Sequence, residues 1–236
     1  FTVGAGQEVE YITSKYTGGS YLKANSYVNE MRGFTGNDTL DASEGNLTRN
    51  VLLSGSLGND TYIISDVNRH LIMSEDAASG TDTVKIVNSA ATYYKLQDYL
   101  ETLEAGAGTG KIELVGNDAR NLIVGNSSDN TLNGAQGVDT MRGGDGNDFY
   151  HVDSKDDLIE EEPLTKSTSA GDADRIYVHK YGADTVAVYD MSATAKQVEQ
   201  IAAWTGGVNY DLTGNDLDST EAYAAFSAVM DGQASE

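Results

Sequence analysis

Between Gly116 and His151 single apolar positions recur on a fixed period of nine, separated by polar stretches. The four contiguous units read GNDARNLIV, GNSSDNTLN, GAQGVDTMR and GGDGNDFYH, and begin at Gly116, Gly125, Gly134 and Gly143. The first six residues of a unit are rich in Gly, Asn and Asp, which tolerate tight turns and left-handed backbone. The last three carry an apolar residue at position eight: Ile123, Leu132, Met141 and Tyr150. A short strand with one inward side chain buries no core alone, whereas stacked units bury theirs against each other. The period therefore predicts an all-β parallel roll in which two units make one coil and units two apart lie on the same side.

Two further copies, GFTGNDTLD from Gly33 and GSLGNDTYI from Gly55, extend the pattern upstream. A longer repeat is superimposed on it. The segment from Gly58 matches that from Gly146, pairing Asp60 with Asp148, Tyr62 with Tyr150, Leu71 with Leu158 and Asp82 with Asp174. The strand-face tyrosines Tyr62, Tyr150 and Tyr177 read as core fillers.

The flanks follow other periods. Residues 1–32 read as irregular strands forming an N-terminal cap or the end of a preceding domain. Residues 95–104 place Leu96, Tyr99, Leu100 and Leu103 at the spacing of one helical face, with Gly106 as a stop. Similar stripes predict helices over 194–204 and 220–230, packed against the roll. The expected organisation is a cap over 1–32, a roll over 33–178 with a helix near 95–104, and a capping region with two helices over 179–236.

Charge changes the picture. The chain has 37 acidic against 15 basic residues, a net charge of −22, which excludes a general phosphate-binding surface and argues against nucleic acid and anionic membranes as partners. No apolar run reaches the roughly 18 residues of a membrane-spanning helix, so no membrane insertion is expected. The absence of cysteine removes thiol nucleophiles and thiolate metal sites. His70, His151 and His179 are scattered, and neither a nucleophile elbow nor a phosphate loop is present. GAGTG over 106–110 reads as a connection, and Glu160–Glu162 as a solvated or cation-facing edge. A non-catalytic role is expected.

The remaining chemistry lies at position six of the units: Asn121, Asn130, Asp139, Asp148, and upstream Asp38 and Asp60. Turns that present carboxylate and carbonyl oxygens, with neither nitrogen nor sulfur, suit a hard cation such as calcium. Without it, carboxylates aligned along the stack repel one another, and a chain this acidic and glycine-rich is expected to expand.

These units resemble the RTX, or haemolysin-type, calcium-binding repeat. The resemblance is strongest over Gly134–Met141 and Gly143–Tyr150 and covers roughly residues 30–178. It implies a β-roll with several Ca2+ ions between turns. By that resemblance Asp38, Asp60, Asp139 and Asp148 are side-chain ligands. Gly33, Gly36, Gly55, Gly58, Gly134, Gly137, Gly143 and Gly146 supply turn carbonyls. Asn121 and Asn130 make weaker, uncharged sites. Asp82 and Asp174, with Asp184, are ligands or Asx-turn formers, and Asp153 and Asp157 complete a terminal site.

The same resemblance implies secretion, folding after export and an extracellular or cell-surface location, since extracellular modules bind calcium at about 10⁻⁴–10⁻³ M. Three roles stay open. A surface-layer, filament or adhesin part predicts calcium-dependent self-association. A non-catalytic module of a larger secreted protease, lipase or polysaccharide epimerase predicts a catalytic domain in cis. A saccharide-binding module predicts binding to a glycan such as a cell-surface polysaccharide. Fold alone does not choose among them.

Overall fold

The short segments after each polar turn form strands, and successive strands alternate between sheets. The computed structural model describes residues 2, 4, 8–44, 51–65, 71–75, 79–106, 108–154, 156–160, 174–179, 198–205 and 208–213. The chain divides into two units, Phe1–Gly110 and Lys111–Glu236.

The first unit contains β1 (Tyr11–Thr13), β2 (Tyr21–Lys23), β3 (Glu30–Arg32), β4 (Thr39–Ala42), β5 (Val51–Ser54), β6 (Thr61–Ile64), β7 (Leu71–Met73), β8 (Thr83–Ile86), β9 (Tyr93–Lys95) and β10 (Thr102–Ala105). One sheet runs β1-β3-β5-β7 and another β2-β4-β6-β8-β10. The second unit contains β11 (Glu113–Val115), β12 (Leu122–Val124), β13 (Thr131–Asn133), β14 (Thr140–Arg142), β15 (Phe149–Val152), β16 (Leu158–Ile159), β17 (Asp174–His179), β18 (Val198–Thr205) and β19 (Val208–Thr213). Here β12-β14-β16 lie in one sheet and β11-β13-β15-β17-β18-β19 in another. The pairings are parallel apart from that of β18 with β19.

A parallel pair needs a crossover of a dozen or more residues. Two turns and the strand of the opposite sheet between them provide it, so Thr131 pairs with Phe149, eighteen positions on. The register stacks inward residues into continuous columns. In the first unit Leu40, Tyr62, Val84 and Leu103 are neighbours. In the second, Leu114, Leu132, Tyr150 and Ile176 form one column, and Ile123, Met141 and Ile159 another. All of these are fully buried.

Several expectations change. Residues 95–104 are not a helix: β9 ends at Lys95, β10 begins at Thr102, and Tyr99 has a left-handed φ of 64°. Leu96, Leu100 and Leu103 are buried as expected. They turn inward from a loop and a strand, and the backbone is drawn into the sheet by bonds such as Thr102 N to Asp82 O, 2.9 Å. Residues 198–204 of the second expected helix lie in strand β18, paired with β17 and β19. Cross-strand pairing there overrides an apolar spacing that suits either element. The helix expected over 220–230 lies outside the described residues.

The roll also begins before residue 33, because β1, β2 and β3 pair in parallel with β3, β4 and β5. Tyr62 and Tyr150 fill the core, but Tyr177 is 37% exposed. Its ring stacks on Phe149 and His151 at 5.9 and 5.5 Å along the outer face. Among the described residues no helix is long and apolar enough to cross a membrane.

Candidate metal centre

Position six sits at the corner where a turn enters a strand, which brings its side chain beneath the corner of the preceding coil. The side-chain oxygen of one coil accepts the backbone N–H of the coil before it. In the first unit Asp38 N donates to Asp60 Oδ1 (2.6 Å), Asp60 N to Asp82 Oδ1 (2.7 Å) and Asp82 N to Glu101 Oε2 (2.7 Å). In the second, one line runs from Asn121 N to Asp139 Oδ1 (2.8 Å) and from Asp139 N to Asp157 Oδ1 (3.0 Å). The other runs from Asn130 N to Asp148 Oδ1 (2.6 Å) and from Asp148 N to Asp174 Oδ1 (2.8 Å). Asp82 and Asp174 thus occupy equivalent places after Asp60 and Asp148, as the longer sequence repeat implies.

Glu101 belongs to this ladder and was not foreseen from the nonapeptide pattern. Its signal is shorter: Glu101-Thr102-Leu103 repeats the acidic-Thr-apolar triplet of Asp38, Asp60 and Asp82.

The bonding of the position-six side chain within its own turn separates two kinds of turn. In the turns from Gly116 and Gly125, the position-two N–H reaches it: Asn117 N to Asn121 Oδ1 and Asn126 N to Asn130 Oδ1, both 2.8 Å. Those turns are also locked by Asx bonds, Ala119 N to Asn117 Oδ1 and Ser128 N to Asn126 Oδ1. The side-chain oxygens of Asn121 and Asn130 therefore already have donors within their own turns. Asp157 is held similarly by Asp153 N and Ser154 N at 3.1 Å.

In the turns from Gly55, Gly134 and Gly143, position two is left-handed, at Ser56 (φ 78°), Ala135 (φ 69°) and Gly144 (φ 97°). There Asp60 Oδ2 and Asp139 Oδ2 are buried with no hydrogen-bond partner. Asp38 Oδ1 and Asp153 Oδ1 share that condition, although Asp38 Oδ2 accepts Phe34 N at 3.0 Å.

The position-one glycines let the position-six carboxylates approach. A Cβ on Gly33 would lie 2.5 Å from the Gly55 carbonyl oxygen and would overlap Asp38 Oδ2; one on Gly134 would overlap Asp139 Oδ2. Gly143 is crowded in the same way by the Asp148 carboxylate and the Tyr150 hydroxyl. The position-four glycines Gly36, Gly58, Gly137 and Gly146 all have φ between 100° and 134°, where other residues are strained.

Burial is the largest influence on these carboxyls. It pushes Asp60 up to about 6, helped by the charges of Asp82 and Asp38 and opposed by the N–H of Asp38. Burial, with Asp157 and Asp153 nearby, pushes Asp139 up to about 7. Asp153 rises to about 6 through burial and the Asp157 and Asp118 charges. Asp82 and Asp157 are raised for the same first cause. Buried, mutually repelling carboxylates are costly unless protonated or neutralised by a cation.

Oxygen donors that are buried, unpartnered and close-packed against glycine fit a hard divalent cation. Among the described residues no three His, Cys, Asp or Glu side chains cluster as a ready-made site. Backbone carbonyls or waters must therefore complete any coordination shell.

A family model, the RTX calcium-binding nonapeptide repeat, matches residues 17–46 and 115–150 in four copies. No curated protein matches the chain, and neither does any solved structure.

Proposed function

We propose that this chain, which carries RTX calcium-binding repeats, is a secreted, non-catalytic structural or adhesive module that folds on calcium after export. The observation that carries this reading is the set of buried carboxylate oxygens without partners at Asp38, Asp60 and Asp139. In this reading Asp38, Asp60, Asp139 and Asp148 are the side-chain ligands, with Asp82, Asp153, Asp157 and Asp174 continuing the stack. The glycine carbonyls of the same turns supply further oxygens. Asn121 and Asn130 contribute weaker ligands, because their oxygens are shared with N–H donors of their own turns.

Calcium bound there does two things. It satisfies the buried oxygens, and it offsets self-repulsion in a chain of net charge −22. A site absent from the unfolded chain turns binding free energy into folding free energy. Sites of weak affinity stay empty at cytosolic calcium and fill outside the cell, which keeps the chain unfolded until export.

Circular dichroism of the chelator-stripped protein during calcium titration tests the reading, with magnesium as control. A cooperative gain of β-structure with calcium alone is expected. A chain already fully folded in chelator overturns it.

A further inference from the structure

We propose that Glu75, which lies outside every nonapeptide unit, supplies a second carboxylate to the calcium site of the Gly55 turn, alongside Asp60. The proposal rests on the calcium reading above and adds a ligand that the repeat pattern does not contain.

Two carboxylates meet at one glycine. Gly55 N–H donates to Glu75 Oε1 at 2.8 Å. A Cβ on Gly55 would overlap Asp60 Oδ2, so that oxygen presses on the same residue. Asp60 is 1% exposed. Its Oδ1 accepts Asp38 N–H, whereas its Oδ2 is buried, aimed at Gly55 and without a partner. Hydrogen bonding inside the protein therefore accounts for one Asp60 oxygen and leaves the other unexplained.

Glu75 is held in place by its neighbours. The buried Tyr62 hydroxyl bonds to Glu75 Oε1 and accepts Gly55 N–H at 2.7 Å. Among the described residues, the charges acting on Asp60 and Glu75 are the carboxylates of Asp38, Asp60 and Asp82. A cation bound between coils reverses the sign of that repulsion. The longer sequence repeat places Glu162 at the matching position, because the Leu71 to Leu158 offset carries Glu75 onto it.

Isothermal titration of the whole chain with calcium chloride, wild type against Glu75→Gln, tests the assignment. The amide keeps an oxygen for Gly55 N–H and the Tyr62 hydroxyl, removes the charge and replaces the other oxygen with NH2. A ligand role predicts that one binding event disappears or weakens by at least about tenfold, with the others unchanged. Asp60→Asn should remove the same event, and the double variant should remove no more. Unchanged stoichiometry and affinity in Glu75→Gln overturns the proposal and leaves the calcium reading standing. A wild-type chain that takes up no calcium overturns the reading itself.

If Glu75→Gln gains no β-structure at saturating calcium, terbium decides. Tyrosine-sensitised terbium emission should fall in Tyr62→Phe relative to wild type. Equal emission places no ion beside Glu75 and overturns the proposal.

Discussion

At the scale of single residues, the decisive quantity is the state of one carboxylate oxygen per turn. Asp139 is fully buried, its Oδ2 has no partner, and its carboxyl is pushed up to about 7. Asp139→Asn should therefore have opposite effects under two conditions. In chelator it should stabilise the fold, by on the order of 1–3 kcal/mol at pH 8, because the charge no longer has to be buried. In saturating calcium it should destabilise, because a ligand charge is lost. Chemical denaturation with and without chelator checks both signs. Asn130 offers the reverse experiment. Its Nδ2 is buried without an acceptor. Asn130→Asp replaces that donor with an oxygen, and should tighten calcium binding at its coil and weaken the chelated fold. Unchanged calcium affinity would mean that position six does not face an ion.

The same residues set the pH dependence. The folded-state pKa values of Asp60, Asp139 and Asp153 lie above ordinary carboxylate values. The folded chain therefore binds more protons than the unfolded one. That stabilisation is fully present below about pH 4 and is lost as pH rises through roughly 6–7. The thermal midpoint of the calcium-free protein should fall between pH 5 and pH 8. With saturating calcium the fall should flatten or reverse, since the ion competes with protons for the same oxygens. A calcium-free midpoint that rises over this range would contradict the burial argument.

At the scale of elements, the strands follow from stacking rather than from propensity. Residues 95–104 illustrate the conflict. Their apolar residues satisfy a helical spacing, yet Leu103 pairs beside Val84 in a sheet and Tyr99 sits at positive φ. Tyr99→Gly discriminates the two conformations. In a helix interior it would cost about 1 kcal/mol. At the observed left-handed position it should be neutral or stabilising by several tenths of a kcal/mol, measurable by urea unfolding. The turns divide by the same logic. Asn at position two closes an Asx turn and serves its own position six, whereas left-handed Ser56 and Ala135 accompany an unserved oxygen. Asp148→Ala acts on both functions of a turn. It removes the acceptor for Asn130 N–H and a proposed ligand, so it should lower stability by about 1–3 kcal/mol in chelator and more in calcium.

At the scale of the whole molecule, a net charge of −22 opposes compaction in general, while the ladder of acids opposes it at particular sites. Monovalent salt separates the two. Raising sodium chloride screens the general repulsion within a Debye length of roughly 8 Å at physiological strength. It supplies no ion of the right charge to the buried oxygens. Salt should compact the chelated chain, as read by hydrodynamic radius, without the cooperative gain of β-structure expected of calcium. An equal gain with salt would reduce calcium to a screening ion.

The nine-residue period alone determined that the chain is a parallel roll, that Ile123, Leu132, Met141 and Tyr150 face inward, and that Asp38, Asp60, Asp139 and Asp148 take the same place in their turns. These are local regularities, and a repeat places each residue relative to its turn without reference to anything distant. The fate of residues 95–104, the entry of Glu101 and Glu75 into the acidic line, and the unserved oxygens of Asp60 and Asp139 emerged only from the stacked coils. Each depends on which N–H of one coil meets which oxygen of the next, across 18 to 22 residues of intervening chain. No pattern inside a single unit encodes that meeting, because it is made by packing.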